Sequence, residues 1–250
     1  MSEDLARARV AHLRAFTPAR VGLGRTGVSQ QTNDWLAFQQ AHALARDAVH
    51  ARLEATALAA ALAQISGQET VLLHSMASDR ATYLQRPDLG RKLDERSRSE
   101  LARLSAGSCN LALIVADGLS ALAVERHAAQ LITELLPLLN GWSFAPICIV
   151  EQGRVAIGDE IGEKLGVRLS VVLIGERPGL SAPDSMGAYI TWEPRQGRTD
   201  AERNCISNIR TEGLSYVQAA AQIAYFVAAA RSRQLTGVAL KHGMRTIGED

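Results

Sequence analysis

The stretch LALIVADGLSALAVERHAAQLITELLPLL, residues 111–139, decides the fold. It opens on six apolar residues with no polar interruption, stops at Asp117-Gly118, and then changes to an apolar repeat every three or four residues. The first pattern belongs to a strand buried on both faces, the second to an amphipathic helix. The same alternation recurs downstream. APICIVEQG (145–153) precedes the short helical segment VAIGDEIGEKLG (155–166), and LSVVLIGERPG (169–179) closes the series. Strand, helix, strand, helix, strand at this spacing requires crossover connections, which make neighbouring strands parallel. An open α/β domain is therefore expected over residues 106–250.

Working outward, GAYITW (187–192) reads as a further strand and EPRQGRTDAERNCISNIR (193–210) as an Arg-rich loop. An alanine-rich helix follows Gly213-Leu214 and runs to about Arg233. Upstream, residues 1–105 read as a helical arm or subdomain. Leu5, Val10, Leu13 and Phe16 mark a short amphipathic helix that ends near Thr17-Pro18. In residues 32–65 the positions Trp35, Phe38, His42, Ala45, Val49 and Leu53 step by three or four and share one helical face. Unbroken, that helix would run roughly 50 Å at 1.5 Å per residue, too long for one small core, so part of it is expected to pack on another chain. TVLLHS (70–75) reads as a short strand, ATYLQRPDLGRKL (81–93) as a helix interrupted at Pro87, and KLDERSRSELARL (92–104) as a helix leading to Gly107.

Composition narrows the function. The 27 basic and 26 acidic residues of this 250-residue chain leave a formal charge of +1. No basic footprint for nucleic acid or anionic membrane is present. Forty alanines against 4% aromatic residues predict an interior of small aliphatic side chains and closely approaching helices. Cys109, Cys148 and Cys205 are too few and too dispersed for a disulfide framework or a metal pair, which makes a reducing compartment the default. No signal-type or membrane-spanning apolar segment stands in the sequence, and a soluble cytoplasmic protein is expected.

The motifs are sparse. Gly22-x-Gly24-x-x-Gly27 matches the dinucleotide fingerprint, with Asp47 twenty residues on, and would support a nicotinamide-dependent oxidoreductase. However, no buried strand precedes it and no helix follows directly, so the glycines read better as tight turns. GxSxG, HExxH, GxxxxGK[ST] and DxHxxG are absent. No catalytic residue and no metal ligand is assigned. Cys205 lies in a polar stretch, where it is either an unreactive thiol or a nucleophile needing a cationic neighbour. The strand tips carry more information, because ligands of open α/β sheets sit outside the carboxyl ends of the strands. Asp117-Gly118, Glu151-Gln152-Gly153-Arg154-Val155 and Gly175-Glu176-Arg177-Pro178-Gly179 combine glycine, exposed backbone and carboxylate. That mixture suits a large ligand fringed with amides; it is also what ordinary loops contain.

At these tips the sequence resembles the small (light) subunit of ethanolamine ammonia-lyase. The likeness runs through TPARVGLGRTGVS, DRATYLQRPDLGRKLDE, CNLALIVADGLSALAVERHA, IVEQGRVAIGDEIG, VLIGERPGLSAPDSMGAYITW and GRTDAERNCISNIRTEGLSY. The resemblance implies a Rossmann-like domain that completes an adenosylcobalamin site, while a large subunit, a TIM barrel, carries ethanolamine and the radical chemistry. It implies cofactor contacts at Val155 in QGRVAIG, Glu176 in IGERPGL and Cys205 in RNCISN. Without DxHxxG, the cofactor is expected base-on. A hexamer of heterodimers in the cytoplasm, with a bacterial microcompartment as a further location, completes the implied picture. A purely structural assembly subunit is the remaining alternative.

Overall fold

The structure, a computed structural model, describes residues 12–17, 19–104 and 109–241. Of the first expected helix, residues 12–14 are helical; residues 1–11, Pro18 and Gly107 lie outside the described residues. In chain order the elements are β1 (Arg25–Thr26), β2 (Ser29–Gln30), α1 (Thr32–His50), α2 (Ala55–Ser66), β3 (Thr70–His74), α3 (Arg80–Gln85), α4 (Glu95–Leu104), β4 (Leu111–Ala116), α5 (Ala121–Leu135), β5 (Ile147–Glu151), α6 (Ile157–Leu165), β6 (Leu169–Gly175), β7 (Met186–Trp192), β8 (Arg203–Ile209) and α7 (Tyr216–Arg233).

Strands β3 to β8 form one six-stranded sheet in the order β3-β5-β4-β6-β7-β8. The first four are parallel, as the unbroken apolar runs require, and every residue of β4 and β6 is buried. β7 and β8 are antiparallel additions, which makes the sheet mostly rather than wholly parallel. The expected Arg-rich loop is thus corrected: its residues 203–209 are an edge strand. Its alternation is hidden because the inward Asn204 is polar, its amide bonding the Gly237 and Leu240 carbonyls. β3 also draws the expected helical arm into the sheet, since residues 70–74 pair with β5.

Side chains alternate between two clusters. Leu113, Val115, Ile149, Val171, Ala188 and Ile206 face one side, under α2, α5 and α7. Ile114, Val150, Val172 and Ile174 face the other, under α4 and α6. Among the described residues, three helices thus cover one face and two the other. Caps hold the helices in place: Ser120 accepts from Ala123 N at the start of α5, and Ser215 from Gln218 N at the start of α7.

The single long helix is also corrected, because residues 51–54 are neither helix nor strand and separate α1 from α2. In a continuous helix the Val49 carbonyl would accept from Leu53 N, and Glu54 N would donate to His50. Here Val49 O accepts from Arg80 Nε at 2.6 Å, and Glu54 N donates to Glu125 Oε1 at 2.8 Å. Tertiary partners therefore replace two helical bonds, and Leu53 turns into the core. The expected aromatic face of α1 is not buried: only Ala41 and Ala48 are, while Trp35 stacks on Phe38 and Phe38 on His42.

Candidate functional site

The site builds up from a closed crevice. In an open α/β sheet the ligand crevice opens between loops where strand order reverses, here after β4 and β6. Leu119 N donates to Gly175 O at 2.9 Å, and Ser120 Oγ to Pro183 O at 2.9 Å. A Cβ built on Gly175 would stand 2.0 Å from Ser120 O, and one on Gly118 2.2 Å from Gly175 O. Glycine at both positions lets the two loops touch. Nothing can be inserted between them without parting backbone from backbone.

Beneath this contact lies Asp117, 1% exposed. Its two carboxylate oxygens accept from Gln152 N and Gly153 N, each at 3.0 Å. Burial pushes its pKa up to about 6, against those N–H groups and the Arg80 cation, which pull it down. The loop after β5 is held at further points. Gln152 takes a left-handed φ of 55°, Tyr83 donates its hydroxyl to Gly153 O at 3.0 Å, and Arg154 N donates to Gly90 O at 2.7 Å. The Arg154 guanidinium sits 4.2 Å over the Tyr83 ring. This rigid loop delivers Val155.

Val155 is half-buried and lines a cavity of 440 Å³ with Arg154, Tyr189, Asp200 and Arg203. Tyr189 connects the candidates. It faces Cys205 across the β7–β8 ladder. On β8 the outward set is Cys205 and Ser207, both exposed. Cys205 therefore reaches the site on a strand, not on the loop expected for it. Its thiol is pushed up by partial withdrawal from water and by the carboxylates of Glu176 and Asp200, with Tyr189 opposing. A thiol kept protonated is a soft contact rather than a nucleophile.

Glu176 lies half-buried over Gly187, where a Cβ would approach Oε1 to 3.0 Å. Oε1 accepts from the Ser207 hydroxyl; Oε2 accepts from the Ser185 hydroxyl and from Asn208 N at 3.2 Å. With two acceptor directions per oxygen, one on Oε1 remains for a donor from outside. Val155, Glu176 and Cys205 thus border one strip of sheet over β7 and β8. Tyr189, Ser185 and Ser207 join them there without any motif to announce them.

α6 and β8 are locked together. Arg203 donates to both oxygens of Asp159 at 2.6 and 2.7 Å, with both side chains buried. This bidentate pair ties the first turn of α6, four residues after Val155, to the strand carrying Cys205.

The dinucleotide reading loses its geometry. Gly27, at φ 63°, sits in the turn between β1 and β2, and the segment joins no strand of the main sheet to a helix. Among the described residues no group of three or more His, Cys, Asp or Glu side chains is placed to hold a metal ion, and no helix is long and apolar enough to cross a membrane.

Comparison with known proteins covers nearly the whole chain. The family model described as "Ethanolamine ammonia-lyase light chain (EutC)" matches residues 7–241. A protein of Ralstonia nicotianae named ethanolamine ammonia-lyase small subunit is 58% identical over 234 residues, 92% of this chain and 86% of the relative. Proteins of the same name from Pseudomonas aeruginosa and Xanthomonas campestris pv. campestris are each 56% identical, over 92% of this chain and 85% and 86% of their own lengths.

Proposed function

The chain belongs to the ethanolamine ammonia-lyase light-chain family, and from that premise we propose that it completes the adenosylcobalamin site of a two-subunit lyase, opposite a large subunit that holds ethanolamine. The observation that carries this reading is the strip over β7 and β8, bordered by Val155, Glu176 and Cys205. A corrin is a broad apolar ring with a rim of amide arms, so a matching surface needs apolar contact and a few fixed acceptors. The residues present fit. Val155 and the Cys205 thiol offer soft contact, and the free direction on Glu176 Oε1 can take an amide N–H.

When bound, adenosylcobalamin supplies a cobalt–carbon bond whose homolysis starts the radical conversion of ethanolamine to acetaldehyde and ammonia. This chain orients and shields. Ser185, Ser207 and Asn208 N hold the Glu176 carboxylate in one pose before any ligand arrives. The closed contact at Gly118 and Gly175 leaves no slot for a nucleotide tail between the strands, which supports the base-on mode.

Mixing experiments test the reading. Each subunit alone should be inactive and the pair active with adenosylcobalamin; full activity from the large subunit alone would exclude it. In the reconstituted pair, Glu176→Gln should weaken cofactor affinity on the order of tenfold, about one charge-assisted hydrogen bond. Unchanged affinity in a visible-absorption titration would remove Glu176 from the site. Normal activity without any cobalamin spectrum change would favour a purely structural subunit.

The exposed apolar side chains of the arm support its role in assembly. Phe16, Val28, Trp35, Leu36 and Leu44 are 74%, 98%, 47%, 55% and 53% exposed. Leu44→Glu is expected to reduce co-purification with the large subunit severalfold while the far-ultraviolet dichroism of the chain is unchanged, because an exposed position carries little folding energy. Full recovery of the complex would put that turn outside the interface. A hexamer of heterodimers in the cytoplasm or in a microcompartment is the assembly this reading brings with it.

A further inference from the structure

One buried cation is shared by three segments that are distant in sequence. Arg80 is 8% exposed. Its Nε donates to Val49 O at 2.6 Å, at the end of α1. Its Nη1 donates to Gly118 O at 2.8 Å, in the loop after β4, and lies 3.4 Å from Gln152 Oε1 in the loop after β5. The Asp117 carboxylate, which grips Gln152 N and Gly153 N, is 3.6 Å away.

Each bond has a structural cost elsewhere. The Val49 carbonyl is withdrawn from the helix, and residues 51–54 leave the helical path. Gln152 adopts a left-handed backbone conformation that a non-glycine residue keeps only when its surroundings impose it. Such strain next to a binding loop is a sign of preset geometry.

We infer that Arg80 is a positioning residue that clamps the end of the N-terminal arm to the loop carrying Val155, so that the seating of α1 and the pose of the half-site are set together. Arg80 touches no ligand in this role; it acts through Gln152 and Gly153. The inference rests on the proposed cofactor reading only for its consequence, since the clamp itself is a property of this chain.

The test uses the full chain in complex with the large subunit. Arg80→Met and Arg80→Lys are compared with Val227→Ala, a cavity variant on the buried face of α7 that makes no hydrogen bond to the clamp. Amide hydrogen exchange is followed at residues 49–54 and 152–155, and cobalamin affinity by absorption titration. Arg80→Met is expected to speed exchange in both segments together and to weaken cobalamin on the order of tenfold to a hundredfold, the scale of a misplacement of about 1 Å. Arg80→Lys has one donor group in place of the fork, so it should free 49–54 while holding 152–155 more closely to normal. Val227→Ala should leave both segments unchanged. Faster exchange in neither segment, or equal changes in Val227→Ala, would overturn the clamp. If Arg80→Met does not assemble, Arg80→Lys decides: normal exchange at 49–54 overturns the proposal. Loosening of both segments with unaltered cobalamin affinity would leave the clamp standing and instead remove Val155 from the cofactor site.

Discussion

Arg203→Met is expected to destabilise the chain by about 3–5 kcal/mol, because it leaves the Asp159 carboxylate buried without its counter-ion. The pair is bidentate at 2.6 and 2.7 Å, and both side chains are almost fully withdrawn from water. The loss has further parts. Arg203 also donates to Thr191 Oγ1 at 3.2 Å and to the Arg198 carbonyl at 2.9 Å, and methionine replaces neither bond. Urea denaturation of the full chain measures the change. The companion variant Asp159→Leu with Arg203→Met removes both charges, and should recover most of the loss, since a buried pair exchanged for apolar groups is often close to neutral. A single variant within about 1 kcal/mol of the parent would mean that the pair is hydrated and weak. Because this pair joins α6 to β8, the single variant should also loosen the spacing between Val155 and Cys205 and, on the proposed reading, weaken cobalamin binding beyond what the stability loss explains.

Gly175→Ala is the second large effect. The new methyl would stand 2.0 Å from Ser120 O and 2.5 Å from Asp117 O, both main-chain atoms fixed by neighbouring hydrogen bonds. No rotamer avoids the contact, so the β4 and β6 loops must separate. Overpacking in a fixed core ordinarily costs about 1–3 kcal/mol, and a clash with backbone lies at or above the top of that range. The variant is expected to be largely insoluble at 37 °C and, where recovered, to show a lowered thermal midpoint. Gly67→Ala is the comparison: apart from its chain neighbours, no atom of the described residues lies within 4 Å of the added methyl, but its φ of 65° carries a conformational cost of its own. Equal losses in the two variants would show that backbone conformation, rather than the loop contact, governs position 175.

The parts of the fold legible in the sequence are those fixed by burial alone. LALIVA, ICIVE and LSVVLIG had no reading other than buried strands, and their alternation of large side chains filled both clusters as expected. What escaped was decided by partners far away in the chain. The break between α1 and α2 contains no proline or glycine; it depends on Arg80 and Glu125, 31 and 71 residues distant from the groups they bond. β8 escaped because its polar inward residue, Asn204, is satisfied by a segment that follows it. The site divides in the same way. Glu176 and Val155 stand at strand tips, where open α/β folds place their ligands, and could be nominated from position. Cys205 could not be, since without β8 there was no reason to bring it near Glu176; only the family resemblance named it. Ser185, Ser207 and Tyr189 have no signature until the antiparallel register is known.

The contact between the β4 and β6 loops has a thermodynamic consequence. A ligand that cannot enter a slot must lie on the surface of this chain, with its other side facing whatever covers it. On the proposed reading, cofactor and large subunit each bury the surface on which the other rests. Their affinities are then linked: the factor by which the cofactor tightens subunit association equals the factor by which the large subunit tightens cofactor binding. Subunit dissociation and cofactor release should accordingly share one concentration dependence, and measuring either equilibrium predicts the change in the other.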